Sequence, residues 1–304
     1  MKIGARTIDV SNRDKVLFPD AGLSKGDLVD YYARIADVMA PHVLGRPLTL
    51  YRFPDGADAD GFYQKDTPDY FPAWIDRVRL GKEESLDYCV AREPAALVYL
   101  ASQVCVPHIW LSQADRPDHP DRLVFDLDPG PDMTFDIVRS TARSMSELLL
   151  DLGLVAYLMT TGSRGLHVVV PLDRSADYAA VRDFARAVAE VVASGAPDHL
   201  TTEHRKNKRG GRLFIDTYRN AYGQTTVAPY VVRANSNAAV ATPIEWDALD
   251  DAKLRSDRYG IKNIFRRLGQ KQDPWRDINR QAASLRAPRQ RLDKLQRRHA
   301  RRRA

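Results

Sequence analysis

Two short apolar runs of this sequence end in aspartate, a side chain well suited to hold a divalent cation. Asp126 and Asp128 alternate at the end of the run that starts at Leu123, so both side chains point to one face of a strand. Asp216 ends a second run, Leu213-Phe214-Ile215. If the two strands are neighbours, three carboxylates converge and can share Mg²⁺ or Mn²⁺. Two such ions supply what phosphoryl transfer requires, an activated hydroxyl and a stabilised leaving phosphate.

The Asp-x-Asp pattern alone leaves other interpretations open. It is often a surface or turn feature without a ligand. Aspartyl-phosphate phosphohydrolases also begin with Asp-x-Asp after a strand, but they generally carry Thr or Val two residues after the second aspartate, near the N-terminus. Here Gly130 stands at that position and the pair lies in the middle of the chain. These differences favour the metal site.

A glycine-rich segment lies between two apolar runs, where a tight turn is expected. Its sequence is Thr160-Thr161-Gly162-Ser163-Arg164-Gly165-Leu166-His167. The glycines let backbone N–H groups approach a phosphate, and the hydroxyls and the arginine add donors. His167 begins the next strand, where it can reach the same phosphates. The alternative is an ordinary glycine-rich hairpin.

A basic loop precedes the third aspartate and has no acidic residue between its cations. Those cations are Arg205, Lys206, Lys208, Arg209 and Arg212. Such a run is most often a solvated surface loop. Beside Asp216 it is well placed to neutralise a triphosphate or the backbone of a primer strand.

Two further groups of residues near the N-terminus suit contacts with nucleic acid. Lys15 and Lys25 bracket the start of a predicted helix, and a helix N-terminus beside a lysine is a natural anion pocket. Phe62 and Tyr63 can stack on a base, with Lys65 beside them on the backbone. The alternatives are ordinary surface lysines and aromatic rings that belong to the core.

The elements that must position these residues follow from hydrophobic periodicity and turn signals. The spacing predicts helices over 24–39, 94–104, 134–152 and 177–193, and further helical turns near 245–253 and 258–268. Strands are predicted over 123–128, 154–159, 166–172, 213–216 and 226–232. Strands and helices that alternate in this way from 120 to 235 indicate an α/β domain with a mixed sheet. The first 115 residues form a second lobe packed on that sheet.

Composition bounds the remaining possibilities. With 304 residues, 44% of them hydrophobic, the chain can bury a substantial core. The sequence has no apolar run long enough to span a bilayer, and its two cysteines are not in metal-ligand spacing, so a reduced, cytoplasmic and nucleoid-associated protein is expected. The chain has a net charge of +6, and the segment 286–304, with nine lysines and arginines and one acid, carries +8, so the remaining residues sum to −2. That basic tail favours contact with a polyanion, although a solvated helix end has the same composition.

Eight segments, in order along the chain, resemble the polymerase domain of bacterial ligase D, a member of the archaeo-eukaryotic primase superfamily. Each is weak alone, but together, over roughly residues 5–275, they are specific. They are Asp14-Lys15-Val16-Leu17-Phe18-Pro19, Tyr51-Arg52-Phe53-Pro54-Asp55-Gly56, Phe62-Tyr63-Gln64-Lys65, Pro107-His108-Ile109-Trp110, Phe125-Asp126-Leu127-Asp128-Pro129, Gly162-Ser163-Arg164-Gly165-Leu166-His167, Phe214-Ile215-Asp216 and Val227-Ala228-Pro229-Tyr230.

The resemblance implies a fold and residue roles. The fold would be that of a primase-polymerase, α/β or α+β, with a mixed central sheet flanked by helices. Metal ligands would be Asp126, Asp128 and Asp216. Nucleotide-binding residues would be Arg52, His108, Thr161, Ser163, Arg164, His167, Arg209 and Arg233. The 5′-phosphate and template would be held by Lys15, Lys25, Phe62, Tyr63 and Lys65. The family usually has Ser-Gly-x-Lys-Gly where Thr161 and Arg164 stand here, and arginine is not equivalent to lysine.

The implied activity is template-directed addition of ribo- or deoxynucleotides to a 3′-hydroxyl, with Mn²⁺ or Mg²⁺, during non-homologous end joining. The implied partners are gapped or broken DNA with a 5′-phosphate, nucleoside triphosphates, Ku and an ATP-dependent ligase, since the sequence has no nucleotidyl-lysine motif of its own. We expect one polymerase domain over 1–285, with an N-terminal lobe over 1–115 and a catalytic lobe over 116–275. A primase that starts chains without a primer and a non-catalytic binder of DNA ends are the alternatives.

Overall fold

The computed structural model describes residues 1–81 and 83–303, with side chains as far as residue 298. In this part of the chain the α-helices are α1 (Lys25–Val43), α2 (Pro94–Ser102), α3 (Phe135–Asp151), α4 (Tyr178–Gly195), α5 (Ile264–Gln270) and α6 (Arg286–Arg303). Short 3₁₀ turns cover Lys206–Lys208, Tyr218–Asn220, Trp246–Asp250 and Ile278–Gln281.

The strands of the same residues are mostly short. They are β1 (Lys2–Ile3), β2 (Arg6–Thr7), β3 (Val16–Phe18), β4 (Leu23–Ser24), β5 (Pro47–Arg52), β6 (Phe62–Gln64), β7 (Asp76–Leu80), β8 (Leu86–Val90), β9 (Cys105–Trp110), β10 (Arg122–Asp128), β11 (Tyr157–Thr160), β12 (Leu166–Pro171), β13 (Leu200–Thr201), β14 (Leu213–Asp216), β15 (Thr225–Val227) and β16 (Thr242–Ile244).

Local signals placed α1, α2, α3 and α4 correctly, each to within a few residues. At the start of α1, the Ser24 hydroxyl accepts a hydrogen bond from the Asp27 backbone N–H, and the Asp27 carboxylate accepts one from Ser24 N–H, which forms a capping box. The helix continues four residues beyond its predicted end at 39, to Val43, because Ala40 and Val43 are buried against the core. The helical turns expected near 245–253 and 258–268 are a 3₁₀ turn and the later helix α5.

The first sheet has the strand order β13-β14-β10-β12-β11-β16. Its pairs are antiparallel except for β13 with β14, so the sheet is mixed, as the sequence predicts. Along the central strand β10, Leu123, Phe125 and Leu127 belong to a core with residues of α3 and α4. Val124, on the opposite face, belongs to a second core. Asp126 and Asp128 share the face of Val124, because side chains alternate along a strand.

The second sheet has the order β15-β9-β5-β8-β7, with β6 paired to β5. Residues of α1 and α2, the second sheet and the Val124 face of the first sheet share one core, so the two sheets belong to one packed body. The strand predicted over 226–232 is wrong in extent and place: β15 covers only Thr225–Val227 and pairs with β9 of the second sheet. Pro229 has no N–H to donate, and Tyr230 has φ +64°, which ends regular pairing.

The basic C-terminal segment forms α6. Leu292 is buried in the core beside α3 and α4, and the Arg291 guanidinium donates a hydrogen bond to Leu152 O at 2.8 Å. Arg289, Lys294, Arg297 and Arg298 are exposed. Ala304 and the side chains of 299–303, which the predicted tail includes, lie outside the described residues. Among the described residues, no helix combines the length and apolarity needed to cross a bilayer.

Candidate active site

Strand register brings the three aspartates together. Asp126 on β10 is directly paired with Asp216 on β14, on one side, and with His167 on β12, on the other. Directly opposed residues of antiparallel strands project to the same face of the sheet. Asp128 lies two residues further along β10 and shares that face. The convergence that the sequence makes conditional on neighbouring strands is therefore present.

The geometry of the triad fits a divalent cation. Candidate ligand oxygens of Asp126, Asp128 and Asp216 all lie within 4.8 Å of one another, and Asp126 and Asp216 are buried. Burial, reinforced by the negative charge of Asp126, raises the pKa of Asp128 to about 6. Burial also raises the pKa of Asp216. These carboxylates crowd one another, and three hard oxygen donors are the ligand type that a divalent metal ion requires.

His167 and Arg219 moderate the charge of the triad. His167 Nε2 lies 3.3 Å from Asp126 Oδ1. Although burial acts in the opposite direction, the contact with His167 and the nearby Arg219 lower the pKa of Asp126. Arg219 Nε lies 3.6 Å from Asp126 Oδ2 and 3.5 Å from Asp216 Oδ2. Arg219 is not among the site residues predicted from the sequence, although it follows Asp216 by only three residues, in a 3₁₀ turn.

A cleft of about 350 Å³ opens at the triad, between the two sheets. It brings together most of the predicted site residues, namely Tyr63, Lys65, His108, Asp126, Asp128, Thr161, Ser163, Arg164, His167 and Arg233. Residues that the sequence analysis did not single out also line it, among them Thr49, Arg219, Gln224, Thr226 and Val227. Hydrogen-bond donors therefore surround an acidic centre, as binding of a metal–triphosphate pair requires.

The second sheet contributes its own row of side chains to this cleft. Thr49 on β5, His108 on β9 and Val227 on β15 are paired directly across neighbouring strands. Burial, together with the positive charges of Arg233 and Arg219, lowers the pKa of His108 to about 3. His108 therefore carries a neutral ring near pH 7. The Thr49 hydroxyl is buried and has no hydrogen-bond partner among the described residues.

The glycine-rich loop is held tightly against β10. A Cβ on Gly165 would lie 2.1 Å from Leu127 O, and one on Gly162, which has φ +66°, would lie 2.8 Å from Arg233 Cγ. The Thr161 hydroxyl lies 3.1 Å from Gly165 O and from Ser256 Oγ, and accepts a long hydrogen bond from Ser163 N–H. Thr161 is thus engaged within the loop, while Ser163 and Arg164 are exposed to the cleft.

Arg52 and Arg209 do not line the cleft at the triad. Arg52 Nη1 donates to Gln64 Oε1 at 3.0 Å and to the Tyr70 hydroxyl at 2.7 Å. Arg209 donates to the carbonyls of Glu203 and His204, and its guanidinium lies 3.7 Å from the ring centroid of Phe214. Both side chains have partners of their own, and their nucleotide-binding roles stay predictions.

Lys15 and Lys25 come together away from the triad. Lys25 N–H donates to Lys15 O at 2.8 Å, and Lys25 is buried at the start of α1. Burial, with the positive charge of Lys15, lowers the pKa of Lys25. Lys15 Nζ also lies 3.3 Å from Asp55 Oδ1, and binding of an anion at this helix N-terminus stays a prediction.

Phe62 and Tyr63 are exposed, at 49% and 61%, and so are not core residues. The ring of Tyr63 lies 5.5 Å from that of His108, between centroids, and 5.0 Å from that of Tyr51. The Arg52 guanidinium carbon lies over the Phe62 ring, 5.8 Å from the centroid of that ring. Tyr63 lines the cleft, whereas Phe62, the preceding residue of β6, points to the other face of the strand, and base stacking by either ring stays a prediction.

Comparison with known protein families gives one match over most of the chain. Residues 24–275 match the family described as LigD, primase-polymerase domain. The multifunctional non-homologous end joining protein LigD of Mycobacterium bovis is 35% identical over 262 residues, which is 83% of this chain and 34% of that protein. The LigD protein of Pseudomonas aeruginosa is 29% identical over 282 residues, 89% of this chain and 32% of its own length. The chain thus spans about a third of these curated relatives.

A solved structure gives the same result in three dimensions. The polymerase domain from Mycobacterium tuberculosis ligase D, in complex with DNA, superposes with a TM-score of 0.85 at 32% sequence identity. The match covers 91% of this chain and 99% of that domain. The fold described above is therefore the fold of that polymerase domain.

Proposed function

The chain belongs to the LigD primase-polymerase domain family, which makes it a nucleotidyltransferase of the primase-polymerase type, and we propose that it adds nucleotides to 3′-hydroxyls at gaps or broken DNA ends. The observation that carries the proposal is the register of β10 with β14, which pairs Asp126 with Asp216 and completes an acidic triad. A chain that bound DNA ends without catalysis would have no need of this buried, mutually repelling set.

Asp126, Asp128 and Asp216 would hold two Mn²⁺ or Mg²⁺ ions, whose chemistry when bound is to lower the pKa of the attacking hydroxyl and to stabilise negative charge on phosphate. The aspartates supply hard oxygen ligands in fixed positions, since two sit on a central strand and the third is paired to it. Arg219 neutralises part of their charge. His167 orients the Asp126 carboxylate.

Side chains around the cleft would hold the incoming nucleoside triphosphate. Ser163, Arg164 and Arg233 provide donors and positive charge for its phosphates, and His108 and Thr49 provide uncharged polar groups for its sugar or base. In the reaction, the 3′ oxygen forms a bond to the α-phosphorus while the bond from that phosphorus to the bridging oxygen breaks. Pyrophosphate leaves with the electron pair, and the hydroxyl proton passes to water.

The wider role is gap filling in end joining. The relatives are named as non-homologous end joining proteins, and the solved M. tuberculosis domain is bound to DNA. Lys15 and Lys25 would bind the 5′-phosphate beyond a gap, and Phe62 and Tyr63 would stack on the template. Ku and an ATP-dependent ligase would act on the same ends, because the gap must be held and then sealed. Such work would place the chain at the nucleoid.

Extension of a labelled primer across a short gap, with Mn²⁺ or Mg²⁺ and either ribo- or deoxynucleotides, tests the proposal. Asp216→Asn should lower extension by more than about 100-fold, since loss of groups that merely support ligands already costs 10–100-fold. Asp132→Asn, an exposed aspartate in the loop after β10, is the matched control and should retain activity. Circular dichroism of each variant checks folding.

Substantial synthesis by a folded Asp216→Asn protein would contradict the site. Equal DNA binding by the wild-type chain without incorporation under Mn²⁺ would instead favour a non-catalytic end binder. Synthesis on unprimed template would identify a primase that starts chains. A further comparison, with and without a 5′-phosphate across the gap, tests Lys15 and Lys25: the phosphate should increase extension by the wild type but not by Lys25→Ala.

A further inference from the structure

Asp216 borders a second groove, outside the cleft at the triad. This groove has a volume of about 430 Å³ and lies between α4 and the residues that flank β14. Arg182 and Arg186 of α4 line one wall. His204, Asp216 and Tyr218 line the other. Because Asp216 also belongs to the triad, the groove leads directly to the catalytic carboxylates.

The wall beside Asp216 is aromatic and rigidly placed. Tyr218 is 41% exposed, and its ring lies 5.4 Å from the His204 ring, between centroids. The Arg182 guanidinium lies 4.9 Å from the centroid of the Tyr218 ring. Tyr218 N–H donates to Asp216 Oδ1 at 2.7 Å, which fixes the Tyr218 backbone beside the carboxylate, while His204 and Arg182 pack against the ring. A base stacked on Tyr218 would therefore be held at a defined distance from the triad.

The opposite wall carries positive charge. Arg182 and Arg186 are exposed and four residues apart, so they share one face of α4. Glu190 lines the same wall, which leaves the three side chains with a net charge of +1, and Arg186 Nη2 also lies 3.7 Å from Asp183 Oδ1. The basic loop 204–212 adjoins the groove and adds the exposed residues Arg205, Lys206 and Lys208. Cations that flank an aromatic platform are the combination with which proteins hold single-stranded nucleic acid, phosphates on the cations and bases on the rings.

The in-line geometry of phosphoryl transfer indicates which DNA strand this groove would hold. In phosphoryl transfer the attacking and leaving oxygens lie roughly in line on opposite sides of the phosphorus. The groups suited to the triphosphate, Ser163, Arg164 and Arg233, line the first cleft. The attacking 3′-hydroxyl must reach the α-phosphorus from the side away from the leaving pyrophosphate, and the second groove, which Asp216 borders, gives access to the carboxylates outside the first cleft.

On the basis of the function proposed above, we propose that this groove binds the 3′-terminal nucleotides of the primer strand. Tyr218 stacks on a base near the primer terminus, and Arg182 and Arg186 bind its phosphates. The template strand is assigned to Phe62 and Tyr63, on the second sheet, so the two strands enter the active site from different walls.

Steady-state extension by the full chain, with primer-template and nucleotide varied separately, tests the assignment. Tyr218→Ala and the double variant Arg182→Ala/Arg186→Ala should each raise the KM for primer-template by about 5-fold or more, with the KM for nucleotide unchanged. Tyr218→Phe, which keeps the stacking ring, should behave as the wild type. Arg266→Ala is the matched control, since it removes an exposed arginine on α5, away from the groove.

Two results would overturn the assignment: an unchanged KM for primer-template in the double variant, or an equal rise in both KM values, which would mean that the residues act through Asp216. Equilibrium binding separates this proposal from the catalytic one. Fluorescence anisotropy should show that wild type binds a labelled recessed 3′ end more tightly than the same template without primer, and that the double variant loses the difference. That comparison tests the assignment of the primer strand to this groove even if wild type incorporates no nucleotide. If wild type binds the primed DNA no more tightly than the unprimed template, the assignment is rejected.

Discussion

Each sheet sends one row of directly paired side chains to the active site, and the two rows differ in charge. The acidic row, Asp216, Asp126 and His167, crosses the first sheet. The neutral row, Val227, His108 and Thr49, crosses the second. The acidic row crowds carboxylates that repel one another, whereas in the neutral row burial keeps even the histidine uncharged. If the proposed function holds, this difference assigns the binding of metal and phosphate to the wall of the first sheet and the recognition of uncharged sugar or base groups to the wall of the second.

The largest effect is expected when charge is removed from the acidic side. Asp128→Asn should lower nucleotide incorporation by more than about 100-fold, because a metal ligand is lost. Its pKa is raised to about 6, so at pH 8 the ionised carboxylate opposes folding in the absence of metal. In EDTA the variant should therefore be more stable than wild type, by up to about 2–3 kcal/mol.

Chemical denaturation at two pH values checks whether Asp128→Asn has a higher free energy of unfolding than wild type, and how that gap changes with pH. The Asp128 carboxyl titrates near pH 6 in the folded wild type but near its ordinary pKa of about 3.9 in the unfolded chain, so the gap in the free energy of unfolding should be full at pH 8, about half as large at pH 5 and closed below about pH 4. A variant that is less stable than wild type at pH 8 would show that the carboxylates do not crowd one another as the structure indicates.

Arg219 is the cation that makes the acidic row tolerable without metal. Arg219→Ala should reduce turnover by about 10-fold, the cost of losing one charge-assisted contact. The melting temperature in EDTA should fall, and added Mn²⁺ should raise it by more in the variant than in wild type, since the metal then supplies the missing charge. Thermal melts with and without Mn²⁺ measure this, with Arg280→Ala, a surface ion-pair variant, as the control. Equal Mn²⁺ shifts in Arg219→Ala and wild type would count against the role.

His108→Gln tests whether the neutral row is truly neutral. The pKa of His108 is about 3 in the folded protein, well below its unfolded value of about 6.5. The unfolded chain therefore binds a proton that the folded chain does not, and wild type should lose up to about 1.4 kcal/mol of stability per pH unit as pH falls below 6.5. His108→Gln should lose less over the same range. Urea denaturation between pH 4 and 7 measures this pH dependence of stability. His199→Gln, which replaces an exposed histidine, is the control and should show the pH dependence of wild type.

The smallest effect is expected at Thr49. Its buried hydroxyl has no partner among the described residues, so removing it leaves no bond broken within the protein. Thr49→Val should retain or slightly gain stability, while the KM for nucleotide should rise about 2–5-fold if the hydroxyl serves the ligand. Thr49→Ser keeps the hydroxyl and should keep the wild-type KM. An unchanged KM in Thr49→Val would remove Thr49 from the nucleotide site.

What the sequence determined by itself is local. The capping box of Ser24 and Asp27 starts α1, and the alternation of Asp126 with Asp128 sets a shared face, since both depend on residues a few positions apart. The glycine-rich turn was likewise recognisable, because Gly162 and Gly165 stand between two apolar runs. The eight ordered segments added the family, which the comparisons confirm.

The tertiary structure alone decided which distant strands are neighbours. Pairing of β14 with β10 joins residues about ninety positions apart. The next strand, β15, pairs with β9 of the second sheet and not with β14. Hydrophobic periodicity predicts to which face of its own strand a side chain points. The register between strands depends instead on how whole sheets and helices bury their apolar faces. For that reason the acidic residues were visible in the sequence, whereas the contacts of Arg219 with two of them, the neutral row and the second groove depend on the tertiary structure.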